Sequence, residues 1–324
     1  MFKDLKSFFA GRNKKEVQNF EQKTKKMSYS LPKEVQPKTS LIIIVNQKGG
    51  CGKTTTCINL SACLARKGFK VLIIDLDAQS HASLGLGIDT ENLTSSAYDV
   101  MIKNLELDQA IVPTYIKNLD IVPAVPMLSG AQLEIADLLG REGILRTAIY
   151  KMLNTKIKNY DYIIMDCSPS LNLLTINGMV AARSVLVPIQ AHYFSLEGMK
   201  ELFATIKVVQ ERLNFQLEIL GILPTLFDNR AKINRDILLQ IKDYFKEKVF
   251  KTSIRRNIKL AEASLHRKSI FEYDPSSRGA KDYAALTEEV ISLTQLQPNS
   301  TEFNIDAIER EVQKESKSAD SILN

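Results

Sequence analysis

The chain has 324 residues, of which 44% are hydrophobic and 25% charged, with a formal net charge of +6 at pH 7. This content allows a substantial core in one large domain or two small ones, while the absence of a bilayer-length apolar stretch and of a secretory signal argues against a membrane-spanning or secreted protein. The four cysteines lack a C-x-x-C spacing, so we expect core or loop thiols in a reducing cytosol instead of a disulfide scaffold.

The first predicted elements are a strand over 41–45 and a helix over 54–66, which ends in a basic turn followed by Gly68. The turn between them is rich in glycine and reads Asn46-Gln47-Lys48-Gly49-Gly50-Cys51-Gly52-Lys53. Backbone N–H groups in such a turn, together with a helix N-terminus, bind phosphates. Lys53 is expected to reach the outer phosphates and the Thr54 hydroxyl to bind magnesium.

The turn departs from the strict phosphate-loop pattern G-x-x-x-x-G-K-[ST] in a specific way. Gln47 stands where the pattern has its first glycine, and a second lysine, Lys48, opens the loop. The alternative, a glycine-rich turn without a ligand, is less favoured because a strand and a helix flank it.

The rest of the chain alternates between predicted strands and helices. Further strands are predicted over 71–75, 119–123, 162–166, 184–189, 217–223 and 249–253, and helices include 127–138, 141–157, 196–213, 232–248 and 277–294. Most of these strands are continuous apolar runs, which are typical of strands buried on both faces of a parallel sheet. The sequence therefore predicts a doubly wound α/β fold with a mostly parallel sheet and helices on both faces. Ligands of such sheets bind at the carboxyl ends of the strands, where Asp75, Asp77 and Asp166 lie.

Basic charge is concentrated in two parts of the chain. Residues 1–40 carry ten Lys/Arg against four Asp/Glu, residues 230–281 carry fourteen against six, and residues 41–229 carry sixteen against eighteen. A nucleotide-binding body with a separate basic surface suits an ATPase that also binds nucleic acid. The alternative is solvated helix faces with incidental lysines.

The stretch K-G-G-x-G-K-T-T at residues 48–55 resembles the deviant Walker A motif of the ParA/MinD ATPases, which partition plasmids and chromosomes or position cellular machinery. The resemblance extends over about residues 40–295. Segment 71–80 is similar to the family's D-x-D-x-Q segment, 162–170 to its Walker B strand, and 221–230 and 249–263 to segments of the ParA branch. The chain is thus divided into a basic, mostly disordered arm (1–39), a ParA-type ATPase domain (40–296) and an acidic polar tail (297–324).

The resemblance implies hydrolysis of ATP with magnesium by in-line attack of water on the γ-phosphate. Asp77 would orient the water, Asp166 would hold the metal through water, and Asp75 would lie near the metal shell; the alternative for Asp75 and Asp77 is a helix N-cap. Pro224 would line the base pocket. The phosphates would contact Lys53 and the loop backbone, at Gly49, Gly50, Cys51, Gly52, Thr54 and Thr55.

In members of the family the lysine that matches Lys48 crosses a dimer interface and contacts the nucleotide of the other subunit. An arginine supplied in this way is worth about 10³–10⁵ in rate. ATP would therefore join two copies, and hydrolysis would let them separate.

The resemblance also implies partners. Arg255, Arg256 and Lys259 would bind DNA without sequence preference in the dimer, and a ParB-like centromere-binding protein would stimulate hydrolysis. Arg255-Arg256-Asn257 stands where the family often has Pro-Arg-Asn, a change that adds a charge but loses a rigid turn. We therefore expect a cytoplasmic, nucleoid-associated partition protein.

Two alternatives stay open at this stage. The first is a MinD-like positioning ATPase that contacts a membrane, with Phe2, Leu5, Phe8 and Phe9 sharing one face of a short N-terminal helix. A frayed terminus is the other interpretation of that stretch. The second is a non-catalytic, nucleotide-switched regulator that binds DNA, such as a repressor.

Overall fold

The apolar runs of the sequence form one seven-stranded sheet within residues 39–155, 158–190, 195–228 and 230–296, the part of the chain that the computed structural model describes. The strand order is β3-β4-β2-β5-β1-β6-β7. All neighbouring strands are parallel except β3 and β4. The strands are β1 (Ser40–Ile44), β2 (Val71–Asp75), β3 (Val112–Pro113), β4 (Leu119–Val122), β5 (Tyr162–Asp166), β6 (Ser184–Gln190) and β7 (Glu218–Thr225).

Helices connect the parallel strands and cover both faces of the sheet. In chain order they are α1 (Lys53–Arg66), α2 (His81–Gly85), α3 (Ala97–Ile102), α4 (Leu128–Glu134), α5 (Ile144–Thr155), α6 (Leu173–Ala181), α7 (Ser195–Arg212), α8 (Lys232–Phe245), α9 (Ile258–Leu265), α10 (Ile270–Tyr273) and α11 (Arg278–Thr294). Short 3₁₀ helices cover Leu107–Ala110, Arg141–Gly143 and Lys246–Lys248.

The core consists of two apolar layers, one on each face of the sheet. Successive side chains of a strand point to opposite faces, so Leu41 and Ile43 of β1 pack with helices α3 to α8. Ile42 and Ile44 pack on the other face with α1 and with helices α9 to α11. Because both faces are covered, the central strands are apolar throughout, as the sequence predicted.

The carboxyl ends of the central strands meet at one edge. Strand β5 lies between β1 and β2, and Asp166 at its end is level with Ile44 and with Asp75. The loop after β1 therefore lies beside the ends of β5 and β2, which is where the sequence places the ligand.

Strands over 71–75 and 162–166 are confirmed with the predicted bounds, and the doubly wound, mostly parallel sheet is confirmed. The predicted strand over 249–253 is wrong. Val249 forms only an isolated bridge with Ile222, and the Phe250 N–H donates to the Ile222 carbonyl at 3.0 Å. The two N–H groups that follow, those of Lys251 and Thr252, donate instead to the Glu289 carboxylate of α11 at 2.9 and 2.7 Å, so the ladder does not continue. The antiparallel strand β3 was not predicted.

Three predicted helices end or begin differently. Helix α4 stops at Glu134, because the chain then follows tight turns that bring it to Gly140, at φ 75°. The predicted helix over 141–157 begins as a 3₁₀ turn, and that over 232–248 ends in one, where Lys246 has φ 49°. The predicted basic arm and acidic tail lie outside the described residues, except for Thr39. Among the helices that the structure describes, none combines the length and apolarity needed to cross a bilayer.

Candidate nucleotide-binding site

The loop after β1 has the backbone shape that a phosphate-binding turn requires. Gly50 and Gly52 have φ values of 70° and 88°, in the left-handed region that favours glycine. Gly52 is also the N-cap of α1, and no side chain of the described residues caps that helix. The first N–H groups of α1 therefore lack a capping side chain at a helix end whose dipole attracts anions.

The two lysines of the loop differ in what their side chains contact. Lys53 is 7% exposed, and its ammonium donates to the Lys48 carbonyl at 3.1 Å. The Lys48 side chain is half-buried and forms no ion pair with any part of the chain that the structure describes. Lys53 thus lies inside the loop, as a phosphate ligand should, while Lys48 has no acidic partner in the part of the chain that the structure describes.

Two buried carboxyl groups lie next to the start of α1. The Thr54 hydroxyl donates to Asp166 Oδ2 at 2.7 Å, and Asp166 and Asp75 are both fully buried on adjacent strands. Burial and the neighbouring Asp75 raise the pKa of Asp166 well above its usual range. Burial also raises the pKa of Asp75 to about 6, against the lowering effect of its bonds with Ser83. Such a pair is stabilised by a cation.

Magnesium fits these residues. Hydroxyl and carboxylate oxygens are the ligands it prefers, and Thr54 and Asp166 supply both. Asp166 Oδ1 is buried and has no hydrogen-bond partner among the described residues, so one carboxylate oxygen is available for the ion or its water.

Asp75 organises the turn that carries Asp77. Its Oδ1 accepts the Asp77 N–H at 3.1 Å, and its Oδ2 accepts the N–H and hydroxyl of Ser83 at 3.0 and 2.7 Å. The Ser83 hydroxyl in turn accepts the Ala124 N–H at 3.1 Å. The N-cap of α2 is Ser80, so neither Asp75 nor Asp77 is the N-cap residue. Asp75 nevertheless accepts the N–H of Ser83, which lies in the first turn of that helix. Asp77 is buried and accepts the Gln79 N–H at 3.0 Å, which fixes its orientation.

Strand β7 closes the loop from the other side. Pro224 is buried and its carbonyl accepts the Ile254 N–H at 2.8 Å. The next residue, Thr225, donates its hydroxyl to the Cys51 carbonyl at 2.8 Å. The loop contact therefore falls on Thr225, which sequence reasoning missed; the signal was a hydroxyl residue at the carboxyl end of a predicted strand.

Known proteins are similar to this chain in sequence. A family model described as AAA domain matches residues 39–219. "Sporulation initiation inhibitor protein Soj" of Bacillus subtilis (strain 168) is 45% identical over 250 residues, 77% of this chain and 97% of the relative. "Chromosome partitioning protein ParA" of Myxococcus xanthus (strain DK1622) is 42% identical over 251 residues, 78% of this chain and 87% of the relative. The chain belongs to the ParA/MinD family.

A solved structure supports the α/β fold. Cobyrinic acid a,c-diamide synthase from Mycobacterium smegmatis, solved with bound ADP and magnesium, has 34% sequence identity and a TM-score of 0.67, and the match covers 77% of this chain and 93% of that one. This ParA/MinD member is a magnesium-dependent ATPase of the partitioning type. The Thr54–Asp166 pair, which the sequence predicted to hold magnesium, lies between the start of α1 and the end of β5.

The three basic residues predicted to bind DNA in this ParA/MinD member differ in the contacts that they make. The Arg255 guanidinium forms an ion pair with the Asp282 carboxylate of α11, and its Nε lies 3.1 Å from each carboxylate oxygen. The backbone N–H of Arg255 also donates to Asp282 Oδ2 at 2.9 Å. Lys259 pairs with Glu262 at 2.9 Å. Arg256 is exposed, and its backbone N–H donates to the Phe227 carbonyl just beyond β7 at 3.1 Å. The structure brings these residues to the same edge of the sheet as the phosphate loop, but it also gives Arg255 a structural partner.

All four cysteines are free and buried. Burial raises the pKa of each thiol, and for Cys57 and Cys167 the neighbouring Asp166 raises it further. Neutral buried thiols are weak nucleophiles, so their role here is packing.

Proposed function

We propose that this protein is a DNA-partitioning ATPase whose ATP-bound dimer binds DNA without sequence preference. A ParB-type partner stimulates hydrolysis and thereby releases it, so that the protein cycles on and off the nucleoid in the cytoplasm. The names of the Soj and ParA relatives support a role in chromosome partitioning. The single observation that supports the dimer is that Lys48, a lysine of the phosphate loop, has no acidic partner among the described residues.

Hydrolysis in this proposal is mainly positioning and charge neutralisation. Lys53 leaves the Lys48 carbonyl and contacts the β- and γ-phosphates, while the N–H groups of residues 49–55 bind the phosphate oxygens. Thr54 and Asp166 would hold magnesium, which when bound neutralises charge on the phosphates. Asp77, oriented by Asp75 and Gln79, positions the water for in-line attack. Pro224 is proposed to lie against the base.

Lys48 acts in the neighbouring subunit. Two protomers face each other across their phosphate loops, and each Lys48 ammonium contacts the phosphates bound by the other. This contact neutralises charge that develops in the transition state, so loss of the lysine should slow hydrolysis more than it weakens ATP binding. ATP is then both the substrate and the link between the subunits.

The DNA surface is proposed to form from Arg255, Arg256 and Lys259 of both subunits. These residues follow β7, whose end also contacts the phosphate loop through Thr225. Phosphate contacts of this kind depend strongly on salt, because binding releases counterions. Arg256 should contribute most, since Arg255 and Lys259 already have acidic partners.

The dimer can be tested with Asp77→Ala, which should bind ATP without hydrolysing it. With magnesium and ATP we expect this variant to elute as a dimer in light-scattering chromatography, and Asp77→Ala/Lys48→Gln to elute as a monomer. A monomer in both cases would refute the dimer.

DNA binding can be tested on the same ATP-locked protein. Arg256→Ala should reduce retention of duplex DNA and lower the slope of log affinity against log salt by about one for each DNA phosphate that the variant no longer binds. Arg267→Ala, an exposed arginine outside the proposed surface, is the matched control. Equal retention by both variants would refute the surface, and ATP-dependent flotation with anionic liposomes without DNA retention would favour the MinD-like alternative.

A further inference from the structure

Asn46 joins the phosphate loop to a neighbouring strand. It lies between the end of β1 and Lys48 and is 8% exposed. Its Nδ2 donates to the Pro188 carbonyl of β6 at 2.6 Å, and its Oδ1 accepts the Lys48 N–H at 3.0 Å. One side chain therefore holds the backbone of Lys48 against the sheet.

The Asn46 side chain extends the contact between β1 and β6 beyond the last backbone bond of their ladder. The last backbone bond between the two chain segments runs from the Val45 N–H to the Leu186 carbonyl at 3.1 Å. Pro188 has no N–H and cannot donate back to the β1 side, but its carbonyl can still accept a hydrogen bond. The Asn46 amide takes the place of the next backbone donor and carries the contact from the sheet into the loop.

Two hydrogen bonds hold the backbone of Lys48, one at its carbonyl and one at its N–H, and bound phosphates would compete with only the first of them. Its carbonyl accepts the Lys53 ammonium, which the phosphates compete for once nucleotide binds. Its N–H is held by Asn46, which does not carry charge and is bonded to the sheet. Asn46 is thus the contact that can keep Lys48 in place during the reaction.

We infer that Asn46 is a positioning residue for Lys48. By fixing the Lys48 N–H relative to β6, it sets the direction in which the Lys48 side chain leaves its own loop towards the neighbouring subunit. This inference rests on the proposed function, because it assigns Asn46 no role in hydrolysis apart from Lys48.

The expected effect of Asn46→Ala is on the rate. A misplacement of about 1 Å can cost about 10²-fold in rate, so we expect single-turnover hydrolysis at saturating ATP and DNA to slow by about 10- to 100-fold. The dissociation constant of a fluorescent ATP analogue should change by less than about threefold, because the missing interaction is made in the transition state. Asn46→Ser should recover part of the rate, since a serine hydroxyl can accept the N–H two residues on, but more weakly.

A double-mutant cycle tests whether Asn46 acts through Lys48. We expect Asn46→Ala to slow hydrolysis in the otherwise natural protein and to change it by less than about twofold when Lys48→Ala is already present. Independent, multiplicative effects of the two changes would overturn the inference. If Lys48→Ala alone leaves the rate unchanged, the trans-acting lysine of the proposed function fails, and this inference fails with it.

Asn214→Ala is the matched control for loss of a buried asparagine. Asn214 is 9% exposed, its Oδ1 accepts the N–H of Gln216 two residues on, and its Nδ2 donates to carbonyls that include Ala182 at 2.6 Å. It precedes β7, at the opposite edge of the sheet from the loop. Asn214→Ala should lower the melting temperature without slowing hydrolysis. Equal slowing of hydrolysis by Asn214→Ala and Asn46→Ala would overturn the inference. If Asn46→Ala does not fold, the double-mutant cycle is measured with Asn46→Ser in its place.

Discussion

Ser83 and Ser61 are both fully buried serines, yet their hydroxyl groups have opposite surroundings. The Ser83 hydroxyl donates to Asp75 and accepts from the Ala124 N–H, so it joins the turn after β2 to the end of β4. The Ser61 hydroxyl, in α1, has no hydrogen-bond partner among the described residues. The difference matters because a buried polar group costs free energy when it lacks a partner.

This contrast gives a prediction at the residue scale. Ser83→Ala leaves the Ala124 N–H unsatisfied and should lower the free energy of unfolding by about 1–3 kcal/mol. Ser61→Ala removes a buried hydroxyl that has no partner among the described residues, so it should leave the free energy of unfolding unchanged or raise it by up to about 1 kcal/mol. Urea unfolding measures both. Since Asp75 also holds Asp77, Ser83→Ala should slow ATP hydrolysis as well, and equal stabilities for the two variants would contradict this account.

At the scale of elements, the segment after the isolated bridge at Val249 shows how a side chain replaces a strand. The Glu289 carboxylate accepts the N–H groups of Lys251 and Thr252, and the chain then turns to bring Ile254 against Pro224. Gly221 allows this path, because a Cβ there would lie 2.4 Å from the Phe250 ring. Helix α11 and strand β7 thus fix the segment that leads to Arg256.

Glu289→Ala tests the role of that carboxylate. It removes two hydrogen bonds to a charged acceptor, and we expect the free energy of unfolding to fall by about 1–3 kcal/mol. The control is Glu288→Ala, whose side chain is 62% exposed and pairs with Lys67 at the surface; it should cost less than about 0.5 kcal/mol. Chemical denaturation of both variants measures the difference, and no difference would mean that the segment is held by other contacts.

At the scale of the whole molecule, the site is built from separate parts of one sheet. The loop after β1, the turn after β2 and the end of β5 are far apart in the chain, and strand pairing brings them together. Helix α11, near the end of the described chain, packs on α1, and its Tyr283 hydroxyl lies 3.2 Å from the Thr56 hydroxyl. Nucleotide binding should therefore stabilise the domain as a whole.

Thermal unfolding tests this coupling. A ligand at about 100 times its dissociation constant adds about 2.7 kcal/mol to the free energy of unfolding. Magnesium and ATP should therefore raise the melting temperature of Asp77→Ala by about 5–10 °C. Adding EDTA or Lys53→Ala should remove most of the shift. Lys67→Ala, at the other end of α1, should retain it, and a shift that survives Lys53→Ala would contradict the site.

The site residues on the loop were predictable because their chemistry is local. Glycines at left-handed positions, a lysine at the helix start and a hydroxyl after it follow one another in the chain, and the strand and helix around them have clear apolar patterns. The carboxyl ends of apolar runs likewise indicated Asp75 and Asp166. The contacts of Thr225 and Asn46 were not predictable, because each bonds with a backbone group of another segment that no local pattern identifies.

The sequence by itself determined the α/β fold, the phosphate loop and the family, since apolar periodicity and contiguous motifs carry that information. The tertiary structure alone decided that Asp75 orders the Asp77 turn, that Arg255 has a structural partner in Asp282, and that 249–253 is not a strand. These outcomes depend on which groups compete for the same backbone donors across the fold, and that competition is settled only when distant segments pack together.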